Sequence, residues 1–252
     1  MNHARWAFDT IAPVFPPRPS PSLTGSLYTV EPIMNIEQAR FNMIEQQIRP
    51  WDVLDLDVLN LLSIVKRENF VPEAYRDLAF ADFEIPLPCG QNMLHPRVEA
   101  RVLQALAVKK HENVLEIGTG SGYMAALLAH RAQHVLSIEI EAELVAYARA
   151  RLAANGVQNA DVICGDGARG WDKDKAAPYD VICFSGSVPM LPSGLLEQLK
   201  PGGRLAVFVG TAPVLEAQII TRLGEQQFHT TDLFETMVTP LVNAEQPSRF
   251  KF

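Results

Sequence analysis

Asn113-Val-Leu-Glu-Ile-Gly-Thr-Gly-Ser-Gly122, running on into Tyr123-Met-Ala-Ala-Leu-Leu-Ala129, is the stretch that decides how the chain is read. Val114, Leu115 and Ile117 form a short apolar run of strand type, and Gly118-x-Gly120-x-Gly122 follows at once. The apolar face from Tyr123 to Ala129 then predicts a helix. Glycines there let backbone approach a ligand and adopt positive φ, while the helix start offers N–H groups without partners. Strand, glycine turn and helix start together predict a nucleotide-cofactor pocket.

Working outward, the acids fall into register with this turn. Glu116 stands two positions before Gly118. A second apolar run, His134-Val-Leu-Ser-Ile-Glu139, ends in a carboxylate of the kind that accepts from both ribose hydroxyls in doubly wound sheets. A third, Asp161-Val-Ile-Cys164, leads into Gly165-Asp-Gly167. The glycine spacing and the Gly165-Asp-Gly167 loop fit S-adenosylmethionine (AdoMet) better than a nicotinamide dinucleotide.

Leu115-Glu-Ile-Gly-Thr-Gly-Ser-Gly-Tyr123, Gly165-Asp-Gly167, Ala177-Pro-Tyr-Asp-Val-Ile182 and Gln198-Leu-Lys-Pro-Gly-Gly-Arg-Leu205 resemble the protein-L-isoaspartate O-methyltransferases. The resemblance runs from about Asn42 to the C-terminus. It implies a class I methyltransferase: an α/β, Rossmann-like, mostly parallel seven-stranded sheet with helices on both faces and a C-terminal antiparallel hairpin. It also implies AdoMet as cofactor and carboxyl methylation of isoaspartyl residues in damaged protein. The implied cofactor contacts are Gly118, Thr119, Gly120 and Gly122 under the methionine part, with Glu116 beside them. Glu139 would meet the ribose, Asp166 and Gly167 the adenine, and Gln246 would fold back toward the cofactor.

The acceptor half departs from the family. Its loop has the form Gly-Gln-Thr-Ile-Ser-x-Pro, whose serine lies near the acceptor carboxylate; this chain reads Gly90-Gln-Asn-Met-Leu-His-Pro96, in a shorter loop. Asn92 replaces the threonine and Leu94 the serine. Leucine brings bulk and no hydrogen bond to a place where a carboxylate should dock, and an unpartnered carboxylate is costly to desolvate. Ser185-Gly-Ser-Val-Pro189 stands for an Ala-Ala-Pro segment, and Met237-Val-Thr-Pro-Leu241 lacks the family's arginine. Asn92, Leu94, His95 and Ser185 are the acceptor-site candidates, and no catalytic residue is assigned. The alternatives are a different acceptor, protein or small molecule, or a non-catalytic AdoMet-binding module.

Composition bounds the rest. The chain has 252 residues, 48% hydrophobic and 20% charged, an ordinary globular makeup. A net charge of −7 offers no broad basic surface, so nucleic acid is not the expected substrate. Cys89, Cys164 and Cys183 are far apart, and the last two lie in apolar runs. Buried free thiols in a reducing compartment are expected rather than bridges or a metal site. Neither a membrane span nor a secretory signal is visible, so the expected location is cytoplasmic.

Three regions are expected. Residues 1–33, broken by Pro13, Pro16, Pro17, Pro19, Pro21 and Pro32, read as a disordered extension, with Met34 an alternative start. Residues 34–110 hold helices over Asn35–Ile48 and from Asp55, the acceptor loop, and a helix from Arg97 to Val108. Residues 111–252 form the AdoMet-binding core. There strands are predicted near 113–117, 134–139, 160–164, 179–184 and 203–209, and helices near 121–131, 141–154 and 189–199. A hairpin is predicted over 218–223 and 228–234.

Overall fold

Alternation of apolar strands with helices in the second half of the chain is what makes the sheet parallel, and a computed structural model shows it. The structure describes residues 35–171, 173 and 177–247; the predicted extension 1–33 lies outside them. Five α-helices are described: α1 (Ile36–Asn42), α2 (Leu56–Ile64), α3 (Pro96–Leu106), α4 (Tyr123–Arg131) and α5 (Ala142–Ala154). A two-stranded ribbon, β1 (Ile85–Pro86) and β2 (Asn92–Met93), precedes the main sheet. The sheet strands are β3 (Asn113–Ile117), β4 (His134–Glu139), β5 (Ala160–Cys164), β6 (Tyr179–Val188), β7 (Leu199–Thr211), β8 (Val214–Arg222) and β9 (Phe228–Thr236).

Their order is β5-β4-β3-β6-β7-β8-β9. The first five are parallel, and β8 pairs antiparallel with both β7 and β9. Strand number and direction match the class I expectation, the C-terminal antiparallel hairpin included. Pleat parity then sorts the side chains. Val114, Val135 and Val181 join one apolar layer with α1 to α5; Leu115, Ile117, Leu136, Ile138, Ile182 and Phe184 join the other. Core residues from Met43 to Val108 pack in the first layer, so the region before β3 shares its core with the strands.

Three local expectations are corrected. The helix predicted over 189–199 shrinks to a 3-10 turn, Leu195–Gln198, because Pro192 and Gly194 (φ 76°) interrupt it. The helix predicted to stop at Ile48 continues as a π-helical stretch, Met43–Ile48, and a 3-10 turn, Arg49–Trp51, whose first positions accept Pro50. It ends at Asp52 in the left-handed region. All three cysteines are free, but Cys164 is exposed rather than buried, because β5 is an edge strand. Asp55 does cap α2, accepting from the N–H groups of Asp57 and Val58.

Candidate active site

The pocket forms where β3, β4, β5 and β6 end. Gly118 follows β3 with φ 90°, and a Cβ there would lie 3.1 Å from Leu241 Cδ2. Gly120 has φ 52°, and a Cβ there would lie 3.3 Å from Leu87 Cδ1. Any larger residue would both strain the turn and fill the cleft. Ile117, Ile138 and Ile140 supply an apolar floor, with Glu139 and Asp166 beside it.

Glu139 is buried at the end of β4, where Oε2 accepts from Gly120 N (2.8 Å) and Oε1 from Glu141 N (3.0 Å). This carboxylate therefore ties the glycine turn to the start of α5. Asp166 Oδ1 accepts from Ala168 N (3.0 Å), and Asn243 Nδ2 donates to Oδ2 (3.0 Å). Gly167 also lines the pocket; a Cβ there would lie 2.7 Å from Ile117 Cδ1.

Other candidates stand elsewhere. Glu116 is fully buried beneath the turn and does not line the pocket, because parity turns it to the helix-covered face while Ile117 faces the cleft. It accepts from Ser137 Oγ (2.5 Å) and Ser185 Oγ (3.0 Å). With no cation beside it, burial pushes its carboxyl up to about 8. Thr119 is buried too, 2.6 Å from Ser137 Oγ. Gly122 starts α4 at φ 84°, against Ala148, outside the pocket wall. Gln246 lines a different cavity, its amide donating to Ala244 O (3.2 Å), so it does not reach the cofactor pocket.

Asn92, Leu94 and Ser185 do stand on the pocket wall. Ser185 gives its hydroxyl to Glu116, and Asn92 Nδ2 donates to Thr239 Oγ1 (3.1 Å). Leu94 is buried, and its carbonyl accepts from Arg67 Nη2 (2.6 Å). Arg67, itself fully buried, pairs with Glu99 of α3 and donates to Ala79 O (3.1 Å). A buried ion pair thus fixes the backbone of the acceptor loop.

His95 opens on the second cavity, about 670 Å³, together with Glu84, Leu215, Met237 and Gln246. Val238, Thr239 and Pro240 line both cavities and form a shared wall. That wall is fastened to β6: Ser187 N donates to Thr239 O (3.0 Å), Leu241 N to Ser187 O (2.9 Å), and Ser187 Oγ to Val238 O (2.8 Å). Sequence reasoning marked 237–241 only as a departure from a pattern. Its place on the wall depends on pairing with residue 187, for which periodicity carries no signal.

A family model for protein-L-isoaspartate (D-aspartate) O-methyltransferase matches residues 38–246. The chain belongs to this family. The protein-L-isoaspartate O-methyltransferase of Rhodopseudomonas palustris (strain ATCC BAA-98 / CGA009) is 42% identical over 204 residues, covering 81% of this chain and 93% of the relative. That of Koribacter versatilis is 39% identical over 223 residues, covering 88% and 95%. Among solved structures, a protein from Plasmodium falciparum described as a family member, in complex with S-adenosyl-L-homocysteine, superposes with a TM-score of 0.68 at 19% identity. It covers 82% of this chain and 98% of its own. A second solved protein-L-isoaspartate O-methyltransferase gives 0.68 at 23% identity, covering 81% and 65%. At these identities the structures speak for the fold.

Proposed function

We propose that the chain is an AdoMet-dependent O-methyltransferase acting on the free carboxylate of isoaspartyl residues in protein. The observation that carries this is the family match across residues 38–246, laid over a pocket that joins the glycine turn to the acceptor loop. The pocket suits the cofactor: a glycine cradle a Cβ would obstruct, an apolar floor, and carboxylates at the ends of two strands. Gly118 and Gly120 would pass beneath the methionine part, Glu139 would accept from the ribose hydroxyls, and Asp166 with Gly167 would border the adenine.

Bound AdoMet supplies an electrophilic methyl carbon: an acceptor oxygen's lone pair forms the C–O bond while the C–S bond breaks, its electrons staying on sulfur. An acceptor carboxylate is already ionised at neutral pH, so the protein need supply no general base. Its task is positioning and exclusion of water. Asn92, Leu94 and the wall from Val238 to Leu241 line the same pocket and would enclose the reactants. Among the described residues no cluster of metal-ligating side chains occurs, and no helix is long and apolar enough to cross a membrane. The reading places its acceptors among cytoplasmic proteins.

The test is methyl transfer from labelled AdoMet to an isoaspartyl peptide beside its aspartyl counterpart. Transfer to the first alone is expected. Transfer to neither, with S-adenosyl-L-homocysteine still bound, would move the assignment to another acceptor.

A further inference from the structure

Leu94 leaves the acceptor loop without a hydroxyl, but the pocket it lines carries one on Ser185. Ser185 stands on β6, half-buried, at the seam between two parts of that pocket. On one side is the glycine turn: a Cβ at Gly118 would lie 3.8 Å from Ser185 Cβ. On the other is the wall: a Cβ at the next residue, Gly186, would lie 2.6 Å from Leu241 Cδ2 and 3.3 Å from Thr239 O. None of the described residues lining this pocket is Lys, Arg or His, while Glu139 and Asp166 bring negative charge. A carboxylate entering it therefore depends on neutral donors.

A count of protons decides which way the Ser185 hydroxyl points. Thr119, Ser137, Glu116 and Ser185 form a chain joined by contacts of 2.6, 2.5 and 3.0 Å. With Glu116 ionised, the hydroxyls bring one proton for each contact, so Ser185 must donate inward. A neutral Glu116 brings one proton more, and one proton must then leave the chain at an end. Thr119 is the buried end, and Ser185 opens on the pocket. The outward proton is thus that of Ser185, while Glu116 Oε1–H donates to Ser185 Oγ, Ser137 to Oε2, and Thr119 to Ser137. Burial holds Glu116 neutral up to about pH 8, against the lowering effect of the two serines. Glu139 at the end of β4 and Glu99 of α3 push the same way as burial, and the buried Cys183 thiol of β6 stays protonated.

We propose that Ser185 is the acceptor-binding donor of this chain, its hydroxyl turned toward the isoaspartyl carboxylate by the proton on Glu116. Glu116 is a positioning residue and never touches the acceptor. A hydrogen bond to an ionised oxygen is about twice as strong as a neutral one. The carboxylate so held sits beside the methionine part over Gly118, and Leu94 helps to keep water away. Loss of the Glu116 proton reverses the chain: Ser185 turns inward and the pocket loses its donor.

The inference rests on the isoaspartyl reading, and its test separates the two. Equilibrium binding of a fluorescent isoaspartyl peptide with no other titratable group is measured with saturating S-adenosyl-L-homocysteine, from about pH 6.5 to 9.5. At the acid end Ser185→Ala should raise peptide Kd by about 10- to 100-fold, the loss expected for one bond to a charged group. Its affinity for S-adenosyl-L-homocysteine should be unchanged. Native Kd should rise as pH passes through about 8 and approach that of Ser185→Ala, which stays flat. Glu116→Gln, whose amide N–H donates to Ser185 at every pH, should abolish the rise. A peptide whose isoaspartyl carboxylate is a carboxamide should bind weakly to native and Ser185→Ala proteins alike.

A Ser185→Ala Kd within twofold of native at the acid end, or equal weakening for carboxylate and carboxamide peptides, overturns the assignment. Weaker binding of S-adenosyl-L-homocysteine by Ser185→Ala would put the hydroxyl on the cofactor's own carboxylate and overturn it too. Should Ser185→Ala fail to fold, a native Kd that does not rise above pH 8 decides against the proposal. If the native chain neither binds nor methylates the isoaspartyl peptide yet binds S-adenosyl-L-homocysteine, the isoaspartyl reading falls and the inference with it.

Discussion

Glu116 shows how one carboxyl can be legible in a sequence and yet misplaced by it. Its position before the glycine turn suggested a cofactor contact, but β3 alternates faces, and the side chain that reaches the pocket is Ile117. Glu116 instead lies under the turn with Ser137 and Ser185. Its folded value of about 8 lies above its ordinary 4.5, so folding takes up a proton between those limits. The resulting stability is fully present below about pH 4.5 and is lost as pH rises through about 8. Thermal unfolding from pH 5 to 9 should therefore show Glu116→Gln falling less steeply than the native chain; parallel curves would refute a neutral Glu116. Glu139 and Asp166, where sequence position and pocket wall coincide, yield a simpler expectation. Replacing either with Ala should weaken S-adenosyl-L-homocysteine binding by about 10- to 100-fold, the scale of a hydrogen bond to a charged group. Calorimetry checks this, and undiminished affinity would remove both from the site.

At the scale of elements, the regular strands were legible because their apolar runs and turn residues agree. Over 189–199 the apolar pattern suggested a helix, but Pro192 and Gly194 interrupt the backbone, leaving the 3-10 turn. The acceptor loop was legible as a loop, not as a braced one. Arg67, distant in sequence, holds its backbone from inside through Leu94 O while pairing with Glu99. Breaking a buried pair leaves an uncompensated charge, at a cost of about 3–5 kcal/mol. Arg67→Met should lower stability on that scale in urea unfolding and speed amide exchange at Met93 and Leu94. Stability lost without faster exchange in the loop would separate the pair from the brace.

For the whole molecule, strand–helix alternation sufficed to read a parallel sheet, and the class I reading came from the resemblance of its motifs to a known family. The described apolar core begins at Met43. Residues 1–33 carry prolines at six positions, which break regular elements, and the expectation from the sequence is that they add nothing to the stability of the rest. Deleting them should leave Tm within about 2 °C, the scale of a contribution below about 1 kcal/mol. Calorimetric melting of the two forms checks this, and a larger drop would mean that the segment packs on the rest.

The wall from Val238 to Pro240, stitched to Ser187, belongs to both cavities at once. A molecule that shifts or stiffens this partition from one side alters the chamber on the other. Thermodynamic reciprocity then fixes the bookkeeping: whatever factor the spent cofactor adds to peptide affinity, peptide must add to affinity for the spent cofactor.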